Sequence, residues 1–447
     1  MAGTELIISV SGLRGVVGRS LTAQVARDYA LAFGVEHGGQ RVVIGRDSRT
    51  HGEMLYYAAV SGLLEAGCEP VLAGCVATPT CGVLVQATGA AGGLMVTASH
   101  NPPPWNGIKL FDHTGRVLSG GAGEEVSLRY RSAQVRPVEW DRVARPVPEP
   151  DPHAVHLERV LALVDVAAIR RRRFRVLLDS NHGAGGVLGR RLLEALGCEV
   201  VGWGLEPSGQ FSHAPEPIPE HLQEVAEEAK RHGVDIGFAQ DPDADRLVLI
   251  DERGRVLSEE YTLAVVADAY FLDHSGSLVI NLSTSRLSEE AARARGATVF
   301  RAPVGEANVV DEARRVGATL AGEGNGGIIH GDVVWVRDSF TGMALVLQAL
   351  ARAEEPLSAL VARLPQWHMT KLKLPLGRAE LEARLDRLRT AFPQAHADHR
   401  DGLRLEAEDW WLHVRGSNTE PIARLIVEAR TPELLEQRLT RALELLA

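Results

Sequence analysis

Three stretches decide the fold: LLEAGCEPVLAG (residues 63–74), LLEALGCEVVGWG (192–204) and AARARGATVFRAPVG (291–305). Each is a helix-forming run, then a glycine, then a short apolar run prone to β structure. Glycine at that point suits a helix C-cap, where the backbone must turn through positive φ. The run behind it reads as a buried strand. Apolar runs also precede the three helices: VVIG from Val42, RVLLD from Arg175 and LVINL from Leu278. Strand, helix, glycine turn, strand is the grammar of a βαβ unit in a mostly parallel sheet. Any α/β protein repeats this phrase. Three copies at broad spacing nevertheless predict three similar α/β domains in tandem.

Length and punctuation extend that reading. At roughly 150 residues per domain, 447 residues make about three domains, with two or four also compatible. VPEPDP (147–152), rich in proline and acid, marks a boundary. A second break follows the turn DERGR (251–255), and a third falls in LPQWHMTKLKLP (364–375). The remainder differs in character. A charged helix over 378–392 leads to WWLHVRGSNTEP, then ARLIVEA, then the helix TPELLEQRLTRALELLA. That order predicts a small α+β domain with an antiparallel sheet. The expected divisions are 1–147, 152–251, 252–365 and 370–447.

Composition excludes several functions. Hydrophobic residues are 45% and charged residues 24%, ordinary for a packed globular chain. The net charge of −10 is poor company for a nucleic-acid backbone. It leaves room for a local basic pocket and an anionic small molecule. Cys68, Cys75, Cys81 and Cys198 form no CxxC pair and have no histidine cluster, so no zinc or redox site is expected. The apolar run 6–10 is short for a signal segment, and no stretch reaches 18 uninterrupted apolar residues. The expectation is a cytoplasmic protein, monomer or homodimer, without nucleic-acid or membrane partners.

Four segments carry chemistry. In TASHNPPPWNGIKLF (97–111), Ser99 and His100 sit where an apolar strand ends. Three prolines stiffen the loop. Asn106-Gly107 reads as a turn, with Lys109 in the strand that resumes. A serine nucleophile needs activation, and His100 and Lys109 are at hand. In DPDADRL (241–247), Asp241, Asp243 and Asp245 can face one way in an extended loop. Their mutual repulsion calls for a hard cation. An EF-hand is rejected, because its sixth position holds Arg246 instead of glycine and a strand run, LVLI, follows. Mg²⁺ with phosphate oxygens fits better. GEGNGG (322–327) lets backbone approach a ligand closely, and Glu323 and Asn325 can face hydroxyls. RGSNTEP (415–421) packs Arg415, Ser417, Asn418 and Thr419 around a glycine, a donor set suited to phosphate. SGLRG with Arg14 and GRDSR (45–49) are suggestive, though the charges of GRDSR can equally be structural.

Together these segments, in this order along nearly the whole chain, resemble the α-D-phosphohexomutase superfamily. That family includes phosphoglucomutase/phosphomannomutase and phosphoglucosamine mutase. The resemblance implies four domains in a heart-shaped arrangement, three related α/β domains plus a C-terminal α+β domain, each lending a loop to a central cleft. It implies exchange of phosphate between O1 and O6 of a hexose through a phosphoserine and a hexose 1,6-bisphosphate, which also serves as activator. By match, Ser99 is the phosphoserine. Asp241, Asp243 and Asp245 hold Mg²⁺ with an oxygen on Ser99. His100 and Lys109 move protons, and Arg14 and Arg246 steady the phosphoryl group. Glu323 binds sugar hydroxyls, and Arg415, Ser417, Asn418 and Thr419 hold the other phosphate. Many bacterial members carry GExSGH where this chain has GEGNGG, with Asn325 and Gly327 at the Ser and His places. The form here looks like archaeal-type phosphoglucosamine mutases. Glucosamine 6-phosphate is the expected sugar, with mannose and glucose phosphates as alternatives. A metal-dependent phosphatase using Ser99 would instead release free phosphate. A non-catalytic sugar-phosphate sensor would not need Ser99, Lys109 and the three aspartates together.

Overall fold

The computed structural model describes residues 6–9, 11–133, 135–416 and 422–447. The described residues form four sheets. The first runs in the order Ile7–Ser9, Gly12–Val16, Trp105–Asp112, Gly92–Val96, Arg41–Arg46, Glu69–Cys75, Val147–Pro148. Its half from Gly92–Val96 to Val147–Pro148 is parallel, and the rest antiparallel. The second, Leu247–Ile250, Ile236–Gln240, Arg175–Asp179, Glu199–Trp203, and the third, Thr298–Ala302, Ser277–Asn281, Leu320–Glu323, Gly327–His330, repeat one plan. Each has three parallel strands and one antiparallel edge. The fourth sheet is wholly antiparallel: His368–Leu374, Ala423–Ala429, Trp410–Gly416, Leu403–Glu406, His396–Asp398.

The repeated phrase accounts for the first three sheets. Helices Gly52–Glu65, Gly186–Ala195 and Arg286–Ala294 are followed by Gly67, Gly197 and Gly296, at φ 78°, 75° and 85°. At each the chain reverses into a strand parallel to the one before the helix. That is the glycine C-cap the sequence predicts.

The domains are knitted by helix Ser339–Ala353, which buries Phe340, Met343, Val346, Leu347 and Leu350. Its cap is Asp338, whose carboxylate accepts from Phe340 N (3.0 Å) and Thr341 N (3.2 Å). Asp338 Oδ2 is also 3.0 Å from His156 Nε2, and His156 Nδ1 is 2.9 Å from Thr80 Oγ1. One buried chain of hydrogen bonds thus joins segments from the first three sheets' domains.

A second clamp joins the third and fourth sheets. Glu406 accepts from Arg286 Nε (2.9 Å) and Arg404 Nε (3.3 Å), and Arg404 Nη1 reaches Leu282 O (2.6 Å). Burial opposes ionisation of Glu406, but Arg404, Arg286 and Arg301 prevail and hold its carboxyl at about 2. A folded value below the usual 4.5 contributes stability that is present above pH 4.5 and is lost as pH falls through 2. The contribution is about 3 kcal/mol. Thermal unfolding from pH 2 to 6 should show that slope in the native chain and a shallower one in Glu406→Gln.

Several local readings are corrected. Asn106-Gly107 is no turn. Both lie inside strand Trp105–Asp112, because a Cβ on Gly107 would stand 2.4 Å from Leu13 O on the neighbouring strand. The glycine marks close strand approach, one of its two meanings within a strand. Val147–Pro148, read as linker, is the last edge strand of the first sheet; its exposed edge tolerates proline. His368–Leu374, also read as linker, pairs along its whole length with Ala423–Ala429.

Candidate active site

Ser99 follows strand Gly92–Val96 and stands at φ 49°, in the left-handed region where a side chain is strained. Buried polar groups over-determine that backbone. Thr97 Oγ1 accepts from Ser99 N (2.9 Å) and donates to Asp47 Oδ2 (2.7 Å). Arg49, held by Asp47, donates to the carbonyls of Ser99 (2.6 Å), Asn101 (2.7 Å) and Pro102 (3.1 Å). Asp47 and Arg49 of GRDSR are therefore the scaffold of the serine loop. Ser99 Oγ donates to Asp241 Oδ2 (2.7 Å) and lies 3.3 Å from His100 Nδ1. Burial, together with Arg246 and Arg14, pushes the His100 imidazole well below its usual range, so it is neutral.

The aspartate segment joins strands Ile236–Gln240 and Leu247–Ile250. It is a tight turn, not the extended loop expected from its spacing. Ala244 takes φ 54° and its N–H donates to Asp241 O (2.9 Å). Asp241 Oδ1 accepts from the amides of Asp245 (3.1 Å) and Arg246 (3.2 Å). The curl brings one oxygen of each carboxylate within 4.8 Å of the others, all fully buried. Burial and the charges of Asp243 and Asp245 drive Asp241 well above the usual carboxylate range. Burial would raise Asp243 and Asp245 too, but Lys109, and for Asp245 Arg337 before it, bring them below. Lys109 Nζ sits 2.9 Å from Asp243 Oδ2 and from Asp245 Oδ2. Thr78 Oγ1 donates to Asp243 Oδ2 (2.6 Å).

Asp243 Oδ1 and Asp245 Oδ1 have no hydrogen-bond partner among the described residues. Buried carboxylate oxygens are seldom left so. The fit is to a hard cation: three carboxylates and a serine oxygen are an all-oxygen donor set.

His100 and Lys109, next to this cluster, line a cavity of about 500 Å³ that segments from all four domains help to wall. Arg14, Lys109, Arg246, Arg337, Lys371, Arg415 and Arg424 line it against Glu216, Glu259, Glu306 and Glu323. Inside an acidic protein the cleft is thus cationic and suited to a phosphorylated ligand. Arg14 Nη1 donates to Asn101 Oδ1 (3.0 Å). Arg246 stands 3.8 Å from both Asp245 and Glu216, and its Nε has no hydrogen-bond partner among the described residues. GEGNGG is the hairpin turn between Leu320–Glu323 and Gly327–His330, and Gly326 O accepts from Leu247 N (3.0 Å), beside the aspartate turn. Glu323 is held from two sides, by Asn281 Nδ2 (2.7 Å) on Oε1 and Arg337 Nη1 (2.7 Å) on Oε2. Asn325 Nδ2 is 3.4 Å from Oε2 as well.

Arg415 lies in strand Trp410–Gly416, directly opposite Arg424 of Ala423–Ala429. Like charges opposite one another are unfavourable, and the Nε of each has no hydrogen-bond partner among the described residues. The pair is poised for an anion. Ser417, Asn418 and Thr419 lie outside the described residues.

Sequence reading missed Arg337, Lys371 and Arg424. Lys371 donates to Glu259 and Glu260 (2.7 Å each) and to Gly324 O (3.1 Å). None of the three belongs to a motif, and the Arg415–Arg424 pairing exists only through strand register.

Four models of the phosphoglucomutase/phosphomannomutase family match in order: alpha/beta/alpha domain I over 6–134, domain II over 154–254, domain III over 258–367 and the C-terminal domain over 370–445. The chain belongs to this family. Its members are phosphosugar mutases, and the protein is a phosphohexomutase. A phosphoglucomutase/phosphomannomutase of Thermococcus kodakarensis is 36% identical over 97% of each chain. A probable phosphoglucosamine mutase of Methanopyrus kandleri is 34% identical over 95% of this chain and 94% of its own. The crystal structure of a phosphoglucomutase/phosphomannomutase family protein from Burkholderia thailandensis, 30% identical, superposes with a TM-score of 0.85 over 98% of each chain. Among the described residues no helix is long and apolar enough to cross a membrane.

Proposed function

We propose that this phosphohexomutase interconverts glucosamine 6-phosphate and glucosamine 1-phosphate through a phosphoserine at Ser99 and a bisphosphorylated sugar. The observation that carries the reading is Ser99 itself: a buried, strained serine whose Oγ lies 2.7 Å from one of three clustered aspartates. The glucosamine preference is supported by the sugar turn and by the relative named probable phosphoglucosamine mutase. Mannose and glucose phosphates are the alternative, supported by the relative named phosphoglucomutase/phosphomannomutase.

In the first half-reaction a sugar hydroxyl attacks the phosphorus on Ser99, the Oγ–P bond breaks, and the hydroxyl proton passes to a base while Ser99 Oγ gains one. In the second, Ser99 Oγ gives up its proton and attacks the other phosphate of the bisphosphate, the sugar O–P bond breaks, and the sugar oxygen takes a proton. His100, neutral and 3.3 Å from Oγ, is placed to exchange the Oγ proton. Lys109, kept charged against burial by Asp243 and Asp245, neutralises the phosphoryl group with Arg14 and Arg246. Mg²⁺, held by Asp241, Asp243, Asp245 and an oxygen on Ser99, would supply further charge neutralisation. After the first transfer the bisphosphate turns round, and the Arg415–Arg424 pair holds whichever phosphate is not reacting. Initial mutase rates on the 6-phosphates of glucosamine, mannose and glucose, with a hexose bisphosphate activator, test this. Stoichiometric release of free phosphate would replace the mutase reading with a phosphatase.

Phosphate binding and sugar reading should separate. Arg415→Ala removes a contact common to every phosphosugar and should raise KM for all three similarly, by about tenfold to a hundredfold. Glu323→Gln changes one acceptor on the sugar turn, so its penalty should differ between sugars. Sugar preference altered by Arg415→Ala and untouched by Glu323→Gln would reverse the roles.

A further inference from the structure

Arg337 joins two carboxylates of the site, Asp245 and Glu323, that lie on different turns. Its Nη2 donates to Asp245 Oδ2 (2.6 Å) and its Nη1 to Glu323 Oε2 (2.7 Å). Its own N–H donates to Glu306 Oε1 (2.7 Å), which fixes the backbone from which the side chain departs. Asp245 belongs to the turn between Ile236–Gln240 and Leu247–Ile250, and Glu323 ends strand Leu320–Glu323. One planar fork therefore spans the metal-binding turn and the sugar-binding turn, two elements on different sheets.

The path of the side chain is built in. A Cβ at Gly327 would lie 2.2 Å from Arg337 Cδ and 2.7 Å from Cγ. These atoms are in the middle of the side chain and cannot move aside while the guanidinium stays on both carboxylates. Gly327 is not at positive φ, so its smallness serves this passage. Asn281 already fixes the other oxygen of Glu323, so Arg337 determines the plane in which that carboxylate meets the cavity.

We infer that Arg337 is a positioning residue that locks the metal-binding turn to the sugar-binding turn through Asp245 and Glu323, with Gly327 as the notch that admits it. The inference rests on the phosphohexomutase reading of the cleft. The competing view is that Arg337 merely balances buried acids. Charge balance asks only for a cation, whereas this bridge uses two separate nitrogens of one rigid plane, Nη2 on Asp245 and Nη1 on Glu323; lysine offers a single nitrogen and cannot reproduce that two-point geometry.

The test measures binding without turnover, by calorimetric titration of glucosamine, mannose and glucose 6-phosphates into the Ser99→Ala protein. Added to that background, Arg337→Lys, which keeps the charge, should weaken the best-bound sugar phosphate about tenfold. Gly327→Ala, which keeps every charged group but blocks the passage, should do the same. In a Glu323→Gln background Arg337→Lys should cost almost nothing further, because the two act as one unit. Affinity for inorganic phosphate should be unchanged, since the Arg415–Arg424 pair is untouched. Sugar-phosphate binding at the parental affinity in Arg337→Lys, or a full additive loss with Glu323→Gln, would overturn the inference and leave the mutase reading intact. A Ser99→Ala parent that binds none of the three sugars would overturn both.

Discussion

Ser99→Ala is expected to lower mutase turnover by about five orders of magnitude or more, the scale on which loss of a covalent nucleophile is felt. The expectation follows from a division of labour inside one loop. The backbone of Ser99 is held at φ 49° by Thr97, Asp47 and Arg49, and none of those contacts uses the hydroxyl. Alanine at the same φ is no more strained than serine, so the loop should keep its shape. What disappears is the oxygen that, in the proposed mechanism, accepts and returns the phosphoryl group. Thermal unfolding should shift little, since one hydrogen bond to Asp241 is worth about 1 kcal/mol. Peptide mapping of the native protein should find phosphate on Ser99, and the variant should carry none at that peptide. Full turnover in the variant would sink the assignment. Trace turnover that rises in proportion to added hexose bisphosphate would fit the loss of the serine relay.

Local sequence carried the fold because each α/β unit encodes its own reversal. Gly67, Gly197 and Gly296 all mark the same helix-to-strand turn, and composition alone reveals it. The errors arose where meaning depends on a distant neighbour. Asn106-Gly107 has turn chemistry, yet Gly107 is small because the strand holding Leu13 passes over it. Val147–Pro148 and His368–Leu374 look like linkers until the strands that pair with them are known. The site divides along the same line. Ser99 and the three aspartates sit in short segments dense with unusual residues, so they were legible. Arg337 and Arg424 lie in ordinary runs and join the candidate site only through contacts 92 residues away at Asp245 and across a strand pair at Arg415. Asp47 and Arg49 were seen, but only the structure shows that they shape the serine loop.

Removing divalent metal should reduce activity to below about 1%, and Asp243→Asn should do nearly the same at ordinary Mg²⁺ concentrations. Both rest on the electrostatics of one turn, where loss of charge stabilisation in phosphoryl transfer costs factors of about 10²–10³ per element. Three carboxylates within 4.8 Å, all buried, are compensated by Lys109 and Arg337, which leave Asp243 Oδ1 and Asp245 Oδ1 without a hydrogen-bond partner among the described residues. A bound cation would engage those oxygens and should stabilise the folded state, by about 2.7 kcal/mol at a hundredfold excess over Kd. Asp243→Asn acts differently on the two forms. It removes one of three mutually repelling charges, so the metal-free protein should lose little stability, even though Thr78 and Lys109 each lose a charged partner. The metal-bound form would lose a ligand outright. The unfolding temperature of the native chain should therefore climb with Mg²⁺ while that of the variant stays nearly flat. A variant that is strongly destabilised without metal yet regains the full Mg²⁺-dependent rise would show that Asp243 supports the turn through Thr78 and Lys109, with the cation held elsewhere.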